Sequence, residues 1–441
     1  MSPILRIALP SIAANITVPL LALVDTAIVG HLGSAVYIGA VAVGGMVFSM
    51  IYWIFGFLRM GTGGLTAQAC GAGLDGESLR ILIRSLGWAA GVSLLLIALQ
   101  VPIADAAFLY ASPTPEVEAS ARTYFSILIW GAPAVLGLYS FVGWFLGMQN
   151  ARYAMYIALV QNVVNIAASL SFVLLAGMKV EGVASGTLLA QYAGLAMAVV
   201  LWLKTYRRRM LNGGLPDKVW EKRALSRFFS VNRDIFLRTL CLVFVTTWFT
   251  RAGAKQGDLV LAANALLMQF FVLFSYVMDG FAYAGEALGG RYAGAHEACS
   301  FRQTVRQLFA WGTALAVAFT LTYVLGGGML LRLLTDDSAV VDYASGLLPF
   351  ACTIPAVSMA AFLFDGIFIG TTSTRPMLLA MACACLSFFA TALPLLRLGN
   401  EFLWAAFLLY LAMRSLVSAL LYPRVSRKVG RDADVGGKAA G

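Results

Sequence analysis

Lys204-Thr-Tyr-Arg-Arg-Arg-Met-Leu-Asn-Gly-Gly-Leu-Pro-Asp-Lys-Val-Trp-Glu-Lys-Arg-Ala-Leu-Ser-Arg-Phe-Phe-Ser-Val-Asn-Arg233 is the longest polar stretch of the chain. Arg207, Arg208 and Arg209 prefer water, and Asn212, Gly213, Gly214 and Pro216 stop a helix, so the stretch reads as a linker. Six long apolar runs precede it and six follow it. They cover approximately 4–29, 37–60, 86–107, 122–147, 153–177 and 182–204, then 232–253, 259–283, 306–327, 343–369, 376–397 and 402–422. A hydrocarbon core about 30 Å thick takes roughly 20 apolar residues per helix, which is the length of each run.

The bulk composition agrees. Of 441 residues, 60% are hydrophobic and 12% charged, too little polar surface to coat a water-soluble fold. The runs are continuously apolar and do not alternate as barrel strands do, so helices are expected. The fold class expected is an all-α integral membrane protein of about twelve transmembrane helices. These form two six-helix bundles, residues 1–206 and 232–424, joined by a cytoplasmic linker at 207–231 and followed by a cytoplasmic tail at 425–441.

The net charge of +10 would suit a nucleic-acid binder, but the charges sort by side of the membrane. The even-numbered breaks and the tails carry Arg80, Arg84, Arg152, Arg207, Arg208, Arg209, Lys218, Lys222, Arg223, Arg302, Arg306, Arg375, Arg424, Arg427 and Lys428. The opposite breaks carry chiefly Arg122, Lys179, Lys255, Arg332 and Arg397, beside acids such as Glu116, Glu118, Asp336 and Asp337. Basic loops stay inside, so both termini are expected in the cytoplasm of a multi-pass inner-membrane protein, with the lipid bilayer as partner and no nucleic acid. The first run lacks a charged leader and a cleavage site and reads as a retained helix. Cys70, Cys241, Cys299, Cys352, Cys383 and Cys385 have no bridge or metal spacing and read as packing residues; no metal and no cofactor is expected.

Sliding the sequence by 223 positions superimposes Gly30 on Gly253, Ala40 on Ala263, Ala42 on Ala265, Gly71 on Gly294 and Ala72 on Ala295. The same register lays Gly143 and Gly147 on Gly366 and Gly370, and Arg152 on Arg375. Six helices per half is even, so the halves are parallel repeats about a pseudo-two-fold axis along the membrane normal. The glycine pairs, four residues apart, let helix backbones approach closely or slide.

Ionisable groups deep in apolar helices are costly and therefore candidates for function. Asp25, Arg59, Asp279, Glu286 and Asp365 are the five. Around Asp25 the sequence reads Pro19-Leu-Leu-Ala-Leu-Val-Asp25-Thr-Ala-Ile-Val-Gly30. Desolvation disfavours the charged carboxylate, so this acid suits proton uptake and release. Pro19 and Pro10 each remove a helix hydrogen bond and mark bending points of the same helix. The fifth run carries Gln161, Asn162, Asn165 and Ser169, and the sixth Thr187 and Gln191. Asn162, Asn165 and Ser169 recur at i, i+3 and i+7 and are expected on one face, lining a substrate chamber with Tyr139, Thr187 and Gln191. Interhelical polar glue is the alternative for the same residues. In the second half Asp279 and Glu286 share a face, Asp365 precedes Gly366, and Arg238 or Arg59 is available to neutralise them. Capping and ion pairing compete there with a second cation or proton site. The chain carries no GxxxxGK[ST], HExxH or GxSxG motif, and its two histidines, His31 and His296, fall on opposite sides, so an enzyme is not expected. Transport would run on an ion gradient.

Three segments resemble a known family: Val24-Asp25-Thr26-Ala27-Ile28-Val29-Gly30-His31-Leu32-Gly33, Asp279-Gly280-Phe281-Ala282-Tyr283-Ala284-Gly285-Glu286-Ala287-Leu288, and Phe364-Asp365-Gly366-Ile367-Phe368-Ile369-Gly370. They are similar to the multidrug and toxic compound extrusion (MATE) transporters, in particular the DinF branch, as is Arg238 in its local context. The resemblance implies a V-shaped pair of six-helix bundles exporting amphipathic, often cationic compounds in exchange for H+ or, alternatively, Na+, by alternating access, as a monomer. It places the family's helix-1 aspartate on Asp25, its bending proline on Pro10 and its chamber threonine on Thr187. Similar transporters often have an acid four residues after the helix-5 asparagine, where this chain has Ser169 after Asn165. That departure leaves Asp25 as the main titrating group and weakens a two-carboxylate cation site. A lipid-linked precursor flippase is the other reading within the superfamily.

Overall fold

The computed structural model describes residues 2–30, 34–211, 217–395 and 399–439. His31, Leu32, Gly33, Asn212, Gly213, Gly214, Pro216 and Arg397 lie outside the described residues. The chain is helical and, among the described residues, has no strand. Its first half comprises α1 (Pro3–Gly30), α2 (Ala35–Phe55), α3 (Phe57–Gly71), α4 (Asp75–Ala98), α5 (Gln100–Ala111) and α6 (Pro115–Leu128). A 3-10 turn (Ile129–Gly131) leads into α7 (Ala132–Gly147), α8 (Ala151–Leu174), α9 (Val180–Thr205) and the short α10 (Arg207–Leu211). The second half comprises α11 (Lys222–Ala254), α12 (Asp258–Gly294), α13 (Ala298–Leu334), α14 (Ser338–Gly370), α15 (Thr374–Leu395) and α16 (Asn400–Ala439).

Ten membrane-crossing stretches are long and apolar enough by composition alone among the described residues. The two remaining spans of the sequence fall on α1, 28 residues long, and α11, 33 residues long, whose Arg238 and Arg251 dilute its apolar character. Three expected spans are not single rods. The span 37–60 divides at Gly56 into α2 and α3, the span 86–107 divides at Leu99 ahead of Pro102, and the span 122–147 passes through the 3-10 turn ahead of Pro133. Glycine and proline at each join explain the breaks. Pro10 and Pro19, by contrast, lie inside the unbroken α1.

The described chain divides into two compact units, Leu9–Arg227 and Met1–Ala8 with Phe228–Gly441. The first turns of α1 thus group with the second half, and helix occupies both ends of the expected 207–231 linker. α16 runs on through 424 into the expected tail. Within the first unit residues 217–219 are tied down on α4. Arg80 Nε donates to the Asp217 carbonyl at 2.9 Å, Arg84 Nε donates to the Val219 carbonyl, and Glu77 accepts from Arg84 at 2.7 Å and from Arg80 at 3.2 Å. A Cβ at Gly87 would stand 2.6 Å from the Trp220 ring.

The repeat seen in the sequence extends to backbone geometry. Gly143 and Gly147 of α7 lie so close to α3 that a Cβ would strike the carbonyl oxygens of Arg59 and Gly63. Gly366 and Gly370 of α14 lie in the same way on the carbonyls of Ala282 and Glu286 of α12, each partner 223 positions on from its counterpart. The turns ending these helices are also repeated. Gly73 and His296 have φ of +69° and +58°, and Gln149 and Thr372 have +62° and +48°. In each, the next residue's N–H reaches back five positions: Leu74 to Ala69, Glu297 to Tyr292, Asn150 to Phe145 and Ser373 to Phe368. These are left-handed helix caps that satisfy carbonyls at the helix end.

Each unit has its own apolar core. Trp144, Phe145, Leu138 and Tyr206 centre that of the first, with Trp144 Nε1 donating to the Ser78 carbonyl at 2.9 Å. Phe249, Phe388, Trp404, Phe407 and Tyr410 centre that of the second. Polar groups there are paired: the Asn264 and Asn400 amides bond each other at 2.9 and 2.7 Å, and Trp404 Nε1 donates to Asn264 at 2.8 Å.

Candidate functional site

Asp25 sits five residues before the end of α1 and is 7% exposed. Its Oδ2 accepts from the Thr187 hydroxyl of α9 at 3.4 Å, and Thr187 accepts in turn from the Asn165 amide of α8 at 2.9 Å. The same threonine hydroxyl lies 3.0 Å from the Val183 carbonyl, so its single proton chooses between carbonyl and carboxylate. Asp25 Oδ1, Asn165 Oδ1 and Ser169 Oγ are buried with no hydrogen-bond partner among the described residues. Three of the expected site residues are therefore joined in one chain.

The helices meet this way because α9 is smooth where α8 is polar. A Cβ at Gly186 would collide with Ser169, and one at Gly194 would stand 2.5 Å from Gln161. Gln161, Asn165 and Ser169, four residues apart, thus form the ridge that packs on α9. Asn162, also expected on this face, is half-buried and is not one of the residues of this ridge. Gln191 stands apart from the Asp25 chain, with its buried Oε1 against Gly131.

A tyrosine stands near the acid. Tyr124, 4% exposed, lies within electrostatic reach of Asp25, and a Cβ at Gly44 of α2 would run into its ring. Tyr52 neighbours Tyr124, Tyr139 and Tyr192, and its buried hydroxyl has no hydrogen-bond partner among the described residues. Tyr139 was among the expected chamber residues; Tyr52 and Tyr124 were not.

The acids of the second unit behave differently. Asp365 of α14 accepts from both Arg238 of α11 and Arg414 of α16, all three buried. Asp279 lies within electrostatic reach of Arg414, while Glu286 is 1% exposed on the glycine-packed stretch of α12. Arg238 is thus the neutralising cation expected for this group, and Arg414 a second one that the sequence reading missed. Its signal was a lone arginine inside the apolar run 402–422.

The repeat register exposes the asymmetry. The positions 223 on from Asp25, Asn165 and Thr187 are Trp248, Phe388 and Tyr410. Trp248 and Phe388 stack edge to face at 5.4 Å, and Phe388 and Tyr410 at 6.3 Å. Where one half has a carboxylate, an amide and a hydroxyl, the other is filled by rings. Among the described residues no cluster of three or more His, Cys, Asp or Glu side chains has metal-site spacing.

A duplicated, membrane-spanning helical fold with a buried polar chain around one carboxylate is a construction found in membrane transporters. Comparison with known proteins agrees: the chain belongs to the MatE family, whose model matches residues 10–171 and 235–395, once in each half. It is 37% identical over 419 residues to the DNA damage-inducible protein F of Escherichia coli K12, covering 95% of this chain and 91% of that protein. It is 22% identical to the probable multidrug resistance protein NorM of Thermotoga maritima, covering 95% and 91% of the two chains. Among solved structures, a multidrug resistance MATE family transporter in an outward-facing conformation superimposes with a TM-score of 0.86 at 19% identity, covering 97% of this chain and 96% of that one.

Proposed function

We propose that the protein is a secondary active antiporter that exports amphipathic, often cationic compounds across the cytoplasmic membrane in exchange for protons, with Asp25 as the proton-carrying group. The observation that carries this reading is the contrast between two buried carboxylates. Asp365 is matched by two guanidinium groups, whereas among the described residues Asp25 is met by a hydroxyl and an amide and by no cation, with one oxygen unpartnered. A matched carboxylate has no reason to take a proton; an unmatched one in a low-dielectric site must take a proton or a cation to be neutral. When Asp25 is charged, Thr187 donates to it. When a proton neutralises it, that hydroxyl returns to the Val183 carbonyl and the link between α1 and α9 loosens. A cationic substrate competes with the proton for the same charge, which is the exchange an antiporter needs. Tyr124 near Asp25, with Tyr52 next to it, supplies aromatic faces suited to organic cations.

Na+ is the second reading for the coupling ion. Asp25 Oδ1, Asn165 Oδ1 and Ser169 Oγ are unpartnered oxygens of the kind that ligate it. Only one of them carries charge, because Ser169 stands where a second acid would, so the proton is preferred. A flippase for lipid-linked precursors would need unneutralised basic groups for phosphate, and the buried Arg238 and Arg414 are tied to Asp365. The sided distribution of basic residues supports cytoplasmic termini.

The test is efflux of a fluorescent cationic dye from proteoliposomes under an imposed pH gradient or an imposed Na+ gradient. Proton exchange requires that the pH gradient alone drives wild-type efflux and that Asp25→Asn stops it. Efflux driven by Na+ alone, or full activity of Asp25→Asn, rejects it.

A further inference from the structure

The second unit ends in a basic surface that the transport reading does not use. α16 is 40 residues long, about twice what a bilayer core requires. At roughly 1.5 Å per residue, the helix beyond Tyr422 and Pro423 stands at or past the headgroup level. There Val425 and Val429, 3% and 5% exposed, hold it on its own bundle, while Arg424, Arg427 and Lys428 face outward. Arg302 and Arg306 stand exposed on the first turns of α13 at the same end. Arg302 neighbours Tyr422, and its guanidinium lies 3.6 Å from where a Cβ at Gly430 would be, which places it against the end of α16.

The first unit shows what such a pair of arginines can do. Arg80 and Arg84, on the first turns of α4, are satisfied by the carbonyls of Asp217 and Val219 and by Glu77. α4 and α13 begin 223 positions apart, at Asp75 and Ala298. Yet among residues 2–430 that are described, Arg302 and Arg306 meet no carbonyl or carboxylate. Within the same residues Arg424 and Lys428 meet none either, and Arg427 has the Pro423 carbonyl of its own helix, at 3.3 Å. Two other exposed arginines, Arg122 and Arg209, are by contrast paired, the first with Asp105 and Glu118 and the second with Asp75. Five cations thus converge on the edge of an apolar bundle with donors unspent.

We propose that Arg302, Arg306, Arg424, Arg427 and Lys428 form a binding surface for the phosphate headgroups of anionic phospholipids in the adjoining leaflet. Arginine forks match phosphate oxygens, and basic groups at a membrane edge attract anionic lipid with about 1 kcal/mol each, roughly a fivefold change in affinity per cation. The acyl chains would lie along the apolar flank of α13 and α16, where Val317, Leu321, Leu416 and Leu420 are exposed. The leaflet's identity rests on the orientation proposed above, but headgroup selectivity does not. It is read in detergent, so its failure and that of the export reading are distinguishable.

The test titrates the purified full chain in detergent with dioleoyl phosphatidylglycerol, dioleoyl phosphatidylcholine or inorganic phosphate. Thermal midpoint and retained lipid by native mass spectrometry are the readouts. Phosphatidylglycerol should raise the wild-type midpoint where phosphatidylcholine and phosphate do not. Arg302→Gln/Arg306→Gln/Arg424→Gln should lower phosphatidylglycerol retention at least tenfold, and the corresponding triple lysine variant should restore part of it. All three side chains are exposed, so the variant's midpoint without lipid should match wild type. Equal retention of the two lipids, wild-type retention by the glutamine variant, or a full response to inorganic phosphate overturns the proposal, the last by showing a free-anion site instead.

Discussion

At the scale of residues, the two buried carboxylates call for opposite outcomes on mutation. Asp25→Asn keeps a similar shape in its pocket, so the protein should fold with an unchanged midpoint while pH-driven dye efflux is lost. Thr187→Val should fold equally well, because Asn165 can turn its amide to Asp25, and should retain efflux with a shifted pH profile, since the hydroxyl no longer reports the charge on the acid. Asp365→Asn removes the charge between two guanidinium groups. Leaving buried charges uncompensated costs about 3–5 kcal/mol, to be read as a large fall in the thermal midpoint. Arg238→Met/Asp365→Leu/Arg414→Met should recover most of that loss, since replacing all partners strands none. Asp25, Asn165 and Thr187 were legible in the sequence because a carboxylate, an amide and a hydroxyl are each conspicuous in apolar runs. Arg414 was not, because one arginine leaves its run apolar and nothing local announces a partner 49 positions away.

At the scale of elements, the sequence shows where helices lie better than where they break. Continuous apolar runs mark α8, α9 and α12 clearly. The joins at Gly56, at Leu99 and at the 3-10 turn do not lengthen the polar gaps, so a reading by hydropathy passes over them. The glycine pairs were visible as spacing, but only the packing reveals that they seat on carbonyls. Gly143→Ala and Gly366→Ala should each lower stability by about 1–3 kcal/mol, because backbone, not a flexible side chain, must yield. Gly91→Ala, on an open face of α4, should be neutral or slightly stabilising, and comparing the three thermal midpoints isolates the close contact. Thr372 is a β-branched residue at φ +48°, so Thr372→Gly should stabilise by about 1 kcal/mol.

At the scale of the whole molecule, the repeat was legible as a weak register of small residues, and it recurs in caps and helix contacts. Its chemical inequality was not visible, because Trp248, Phe388 and Tyr410 look like ordinary core until they are set beside Asp25, Asn165 and Thr187. The orientation can be checked at Cys299, which is exposed in the turn into α13. In right-side-out vesicles a membrane-impermeant maleimide should label it only after permeabilisation, and labelling of intact vesicles would reverse the assigned topology. The serine at 169 carries the consequence furthest. If Asp25 is the proton carrier proposed above and the one carboxylate turning over in the polar site, each cycle would exchange one proton for one monovalent cation and move no net charge. Such a machine would ignore membrane voltage and be limited by acidity alone, to about tenfold accumulation per pH unit. In an alkaline surrounding it would stall, whatever the cell's electrical state.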